Sequence, residues 1–143
     1  MEMSKEQGLS KADYRALGAF RLQIRRFLHF SEEAARAEGL EPQQHQMLLA
    51  IEASDESEGP TVGQLAEQLL IRHHSAVGLL DRLEEGGLVE RTRDAEDRRQ
   101  VRVKMTTAGS GKLQRLTQQH RDELRKSGPE LVEALRAVVE HRD

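Results

Sequence analysis

The sequence contains no cysteine and no tryptophan, and aromatic residues make up only 3% of its 143 positions. Without thiols there are no disulfides, no thiolate metal sites and no thiol-based redox sensing. With so few rings the core has to be assembled from Leu, Val, Ile and Ala, which favours helices. No apolar run approaches the roughly 18 to 20 residues needed to cross a bilayer, and the first residues are polar rather than signal-like, so a cytoplasmic location is expected. A large surplus of one charge is also missing: the formal net charge is -3 and the pI is near 6.1. That argues against a protein that coats nucleic acid non-specifically, which needs a strong basic excess. There is no Gly-rich phosphate loop, no nucleophile elbow and no clustered carboxylate pattern. His73 and His74 are neighbours and lack the His-x-x-x-His spacing of a joint metal site. An enzyme is therefore not expected, nor a metal or other cofactor. The length suits one domain with a modest core.

What is present is concentrated between Pro60 and Gly109. Thr61 and Gln64 have the Thr-x-x-Gln spacing of a capping box, which predicts a helix start. Val62, Leu65, Ala66, Leu69 and Leu70 follow at three- and four-residue steps, as one apolar face. After the turn Ile71-Arg72-His73, a second helix is predicted from His73 or His74 to Glu85. It would bury Ala76, Leu79, Leu80 and Leu83 and leave His74, Gly78, Asp81 and Arg82 outside. A turn of this length lets two short helices cross steeply. Gly86-Gly87 ends the second helix, because glycine enters the left-handed conformation of a helix C-terminus at least cost. Residues 88–93 and 101–105 then alternate with the period of two expected of strands. The polar tract 94–100 between them reads as a hairpin loop with Arg98 and Arg99 at its tip. Such an arm is suited to a phosphate backbone or a narrow minor groove. The acid loop from Asp55 to Gly59 shows no special chemistry.

On either side lie long amphipathic helices. One is predicted from Ser10, whose spacing to Asp13 is that of a capping pair, to about Glu38, with Leu17, Phe20, Ile24, Phe27 and Leu28 along a stripe. A shorter helix starts at Glu41-Pro42 and carries Met47, Leu48 and Ile51. After Thr106 or Thr107 a helix with Leu113, Leu116, His120 and Leu124 runs to about Lys126. Gly128-Pro129 is expected to break the chain before a last helix with Leu131, Leu135, Val138 and Val139. Apolar stripes this long need a partner.

Leu65-Ala66, the run Leu80 to Glu85, Gly87-Leu88-Val89-Glu90-Arg91, Asp97-Arg98-Arg99 and Met105-Thr106-Thr107-Ala108-Gly109 are similar, in order and spacing, to the MarR family of winged-helix transcriptional regulators. The resemblance implies a mainly α fold with a small β-wing. Within a single domain over 1–143, residues 60–106 would be a DNA-reading helix-turn-helix and wing, and residues 10–38 and 107–141 dimerisation helices. It implies a homodimer that binds double-stranded DNA at an inverted repeat as a ligand-responsive repressor. The alternative is a winged-helix protein-interaction module that does not bind DNA.

The second helix is then the recognition helix, with Arg72, His73, His74, Ser75 and Gly78 as candidate DNA-contacting residues. Ser75 as a cap and His73 as a turn residue are the competing readings. Val77 and Gly78 depart from the family, which carries hydroxyl or basic side chains there. The family's Asp-x-Arg pattern carries over to Asp97 and Arg99, with Arg99 entering the minor groove, Asp97 orienting it and Arg98 beside them. Arg82 reads as an intramolecular ion pair with Asp81, Glu85 or the wing, in preference to a phosphate contact. Family members often sense small anionic aromatic effectors. Arg21 and Arg25, one turn apart, with His45, are the candidate ligand residues, although a solvated basic face is the commoner meaning of such a pair.

Overall fold

In the computed structural model, which describes residues 8–140, the chain forms five helices and two strands. They are α1 (Lys11–Ala37), α2 (Pro42–Glu52), α3 (Val62–Leu69), α4 (His73–Glu85), β1 (Val89–Arg93), β2 (Val101–Met105) and α5 (Thr107–Val139). Two compact units result. One is Ala34–Gln118; the other joins the chain up to Glu33 with the chain from Gln119, so α1 and α5 each contribute to both.

Helix starts follow their caps. The Ser10 N–H donates to Asp13 Oδ2 at 2.8 Å and the Asp13 N–H to Ser10 Oγ at 3.3 Å, so α1 begins where the capping pair predicts. Thr61 and Gln64 form the expected reciprocal box, with the Gln64 N–H on Thr61 Oγ1 at 3.1 Å and the Thr61 N–H on Gln64 Oε1 at 2.9 Å. Thr106 caps α5: its hydroxyl accepts from the Gly109 N–H at 3.1 Å and donates to the Gly87 carbonyl at 2.7 Å. The start of α5 is thereby tied to the end of α4.

The core of the Ala34–Gln118 unit is aliphatic, as the scarcity of aromatics requires. Met47, Leu48, Leu65, Leu80, Leu83, Val89, Val103 and Leu116 are fully buried, and Ala76 and Leu79 join them from α4. The wing is an antiparallel pair with Val89 opposite Met105 and Arg93 opposite Val101. The segment before α3 lies along the other edge of β2, through a bridge between Thr61 and Arg102 and a 3.0 Å bond from the Val103 N–H to the Pro60 carbonyl. A glycine makes this close approach possible, and a second one does the same where the start of α5 meets Leu88. A Cβ at Gly59 would overlap the carbonyl oxygen of Val103, and one at Gly109 the carbonyl oxygen of Leu88.

In the second unit Phe27 and Phe30 both meet the ring of His120 edge-on, at centroid separations of 5.9 and 5.3 Å. His120 Nε2 lies 2.8 Å from Ser31 Oγ. The predicted stripes on these helices are only half covered: Leu17, Leu28, Leu135 and Val139 are exposed.

Two expectations fail here. Leu70 does not belong to the apolar face of α3. It ends that helix in the left-handed conformation (φ 55°, ψ 41°) and is 92% exposed. Its backbone has to turn there so that the Ile71 N–H can reach the Ala66 carbonyl at 3.0 Å, and the side chain is thrown outward. Gly128-Pro129 does not break the chain either, since α5 runs through Pro129. Proline removes the helical bond to the Arg125 carbonyl, but Arg125 and Pro129 are both exposed, on a side of the helix that faces water, and Ser127 Oγ donates to the Glu123 carbonyl at 2.9 Å in the preceding turn.

A leucine in the left-handed region carries strain of about 1–2 kcal/mol, partly offset by the lower entropy of its unfolded state. Leu70→Gly is therefore expected to raise unfolding stability by roughly 0.5–1 kcal/mol in urea denaturation. Leu80→Ala, which empties a fully buried site, is expected to cost about 2–5 kcal/mol in the same measurement.

Candidate nucleic-acid interface

With Ala76, Leu79, Leu80 and Leu83 turned inward, α4 presents the other side to solvent. Arg72, His73, His74 and Ser75 are all exposed at its start, and Gly78 is half-buried one turn on. Arg72 is the N-cap residue and makes no side-chain cap bond, so His73 is the first helical residue and Ser75 the third. The capping role for Ser75 and the turn role for His73 are thereby set aside. Val77 is half-buried against the core. It shares with His73 the wall of a cleft of about 530 Å³, closed on the other side by Arg91, Arg93, Arg99 and Val101 of the wing.

Arg91 fixes the wing to α4. Its Nη2 lies 2.7 Å from both Asp81 Oδ1 and Glu84 Oε1, and its backbone N–H donates to Glu84 Oε2 at 3.2 Å. The hydrogen bond from the guanidinium, followed by the one from the backbone, holds the Glu84 carboxyl below the usual glutamate range. The same contacts push the Arg91 guanidinium up. Part of the negative charge on the exposed side of α4 is in this way offset from within the protein. Arg82, expected to pair with Asp81, Glu85 or the wing, makes no ion pair among the described residues. Arg91 occupies Asp81 instead, because a strand residue packed against the helix reaches it more directly than the next residue along.

At the wing tip, Arg99 is 92% exposed in its side chain, and both its backbone N–H (3.1 Å) and Nε (3.2 Å) donate to Asp97 Oδ1. The Asp97–Arg99 pair therefore has the geometry the motif implies. Arg98 is exposed and holds Arg93 Nη1 through its carbonyl at 2.8 Å. Where β2 leaves the hairpin loop, Arg102 Nε donates to Asp94 Oδ2 at 2.9 Å and its Nη1 to the Gly59 carbonyl at 3.1 Å, with Glu56 Oε2 at 3.6 Å. Asp94 is held below the usual aspartate range, first by the Glu96 N–H and then by Arg102. The acid loop thus has a role the sequence reading missed. An acid–Gly turn beside an arginine-bearing strand was the available signal.

Of the candidate ligand residues, two are exposed and one is buried. Arg21 and Arg25 are exposed on α1 in one unit, and His45 is buried, 4% exposed, in the other. Among the described residues no group of three or more His, Cys, Asp or Glu is placed to hold a metal, and no helix is long and apolar enough to cross a membrane.

A helix-turn-helix with a two-stranded wing, its recognition helix and wing tip both exposed, defines the winged-helix class. The MarR family model matches residues 38–100, and the chain belongs to the MarR family of transcriptional regulators. It is 33% identical over 106 residues to the uncharacterized HTH-type transcriptional regulator YcgE of Bacillus subtilis (strain 168), a match covering 74% of this chain and 67% of that one. With the transcriptional activatory protein BadR of Rhodopseudomonas palustris (strain ATCC BAA-98 / CGA009) it shares 38% identity over 76 residues, 53% of this chain but only 43% of that protein's length. Among solved structures, the MepR–DNA complex of S. aureus superposes with a TM-score of 0.65 at 22% identity, over 80% of each chain.

Glu38 is held low as well, first by the hydrogen bond from Arg115. For Glu38 and Glu84 (ordinary value 4.5) and Asp94 (ordinary value 3.8), a lowered value means that the ionised form stabilises the fold. Their contribution is complete above those ordinary values and is lost as pH falls below them. The urea midpoint is accordingly expected to hold steady down to about pH 5 as far as these groups are concerned, and to drop on further acidification. Replacing Glu84 by Gln should flatten part of that drop.

Proposed function

We propose that the chain binds a specific double-stranded DNA sequence as a homodimer, with α4 in the major groove and the wing tip in the minor groove. On this reading it is a ligand-responsive repressor acting at an inverted repeat. The observation that carries the proposal is the exposed start of α4 facing an exposed arginine tip across an open cleft, with two acids of α4 paired to Arg91. Arg72, His73, His74 and Ser75 are the base and phosphate contacts, Asp97 and Arg99 the minor-groove pair, and Arg98 a phosphate contact. Gly78 supports close approach. A glycine inside a helix costs about 0.5–1 kcal/mol relative to alanine, and the only atom near a Cβ built there is Arg82 Nη1, at 4.0 Å. The solved MepR complex shows this fold on DNA.

A second copy is the occupant proposed for the exposed apolar stripes of α1 and α5. A C2 dimer would set two recognition helices about 34 Å apart, one turn of DNA. A small anionic aromatic effector is assigned to Arg21 and Arg25; His45 would have to be uncovered to join them.

A protein-interaction module is the second reading. Leu70, 92% exposed beside the half-exposed Leu49, is the observation in its favour.

Selection of bound duplexes from a random DNA pool, followed by a salt titration of the winner, tests the two. An enriched inverted repeat with steep salt dependence is expected; no enrichment at low salt would move the assignment to protein interaction. Arg99→Ala is expected to weaken binding of the selected duplex about tenfold with an unchanged melting temperature, since an exposed tip contributes little to stability.

A further inference from the structure

A wing-tip arginine loses less entropy on binding if the loop that carries it is already held in one conformation, and in this chain a continuous set of bonds runs to Arg99 from the start of β2. Arg102 has its guanidinium largely buried, at 19% side-chain exposure, between Asp94 Oδ2 and the Gly59 carbonyl. The other oxygen of Asp94 accepts the backbone N–H groups of Glu96 (2.8 Å) and Asp97 (3.3 Å), which sets the turn of the loop. The Asp97 carboxylate, placed by that turn, then accepts both bonds from Arg99. Each of these residues is bonded to the next, and Arg102 is the one anchored outside the hairpin.

We propose that Arg102 is a positioning residue for DNA recognition, acting through Asp94 and Asp97 to present Arg99 to the minor groove without touching DNA itself. This rests on the DNA-binding reading given above. A buried guanidinium with two fixed acceptors cannot also reach a phosphate. Among the described residues Asp97 is the one partner of the Arg99 side chain, while the loop around it is also closed by the Asp94 N–H on the Gln100 carbonyl and by Arg93 Nη1 on the Arg98 carbonyl. Removing the anchor leaves the charge of the tip intact but spreads it over many positions, so affinity falls through lost order rather than lost contact.

The test is a double-mutant cycle read by fluorescence anisotropy on a labelled duplex carrying the most enriched sequence from a random pool. Arg102→Met is expected to weaken binding several-fold, up to about the tenfold loss of Arg99→Ala, and to add nothing further in the Arg99→Ala background. Asp94→Asn keeps a carbonyl oxygen for the loop N–H groups while losing the charge that holds Arg102. It should show the same dependence on Arg99, and it carries the test if melting curves show that Arg102→Met does not fold. Losses that multiply in the double variant, or full binding by both single variants at positions 94 and 102, would overturn the proposal while leaving DNA binding in place. An Arg99→Ala variant that binds like the parent would also overturn it. A parent protein that binds no duplex would instead remove the DNA-binding reading itself, and this inference with it.

Discussion

The burial of one stripe of α4 is the constraint on which the rest depends. Ala76, Leu80 and Leu83 are fully covered and Leu79 nearly so, which fixes the rotation of the helix about its own axis. Once that rotation is set, His74 and Ser75 must face outward, because side chains repeat every 3.6 residues. The polar side of α4 needs no interactions of its own to stay exposed. It is held out by the apolar side, and substitutions on it can alter recognition without touching the core.

The arginines divide between two tasks according to where the strands put them. Arg91 and Arg102 sit within β1 and β2, close to acids on α4 and in the loop before α3, and they are used internally. Arg98 and Arg99 lie in the connecting loop and stay in solvent. A count of basic residues in the wing therefore overstates the charge available to a polyanion. It also hides the pairing of Asp81 and Glu84 with Arg91, which offsets part of their repulsion of one.

Much of this architecture was legible from residue spacing. The capping boxes at Ser10 and Thr61, the Thr106 cap, the inward stripe of α4 and the paired strands depend on interactions within a few residues, and sequence records those directly. What escaped depends on groups brought together from a distance or on competition between local rules. Leu70 has the right spacing for an apolar face, but the backbone needs a left-handed residue there and the turn overrides the pattern. Proline ends most helices, yet α5 continues through Pro129, where the residue whose carbonyl loses its partner, Arg125, lies on the exposed side. The partner of Asp81 proved to be ten positions away in Arg91 rather than adjacent in Arg82. In the candidate site, Asp97 and Arg99 were readable as a pair because they are two residues apart. The Arg102 anchor was not, because its Gly59 contact spans 43 positions.

The two glycines pressed against backbone carbonyls, Gly59 and Gly109, have a consequence for how variation in this chain is interpreted. Neither has a side chain to offer a ligand, and a single methyl group at either would collide with backbone that has nowhere to go. A map of tolerated substitutions would show gaps at both, indistinguishable in depth from gaps at residues that touch a partner. Intolerance at these positions reports the thickness of the seam between two pieces of backbone, not chemistry.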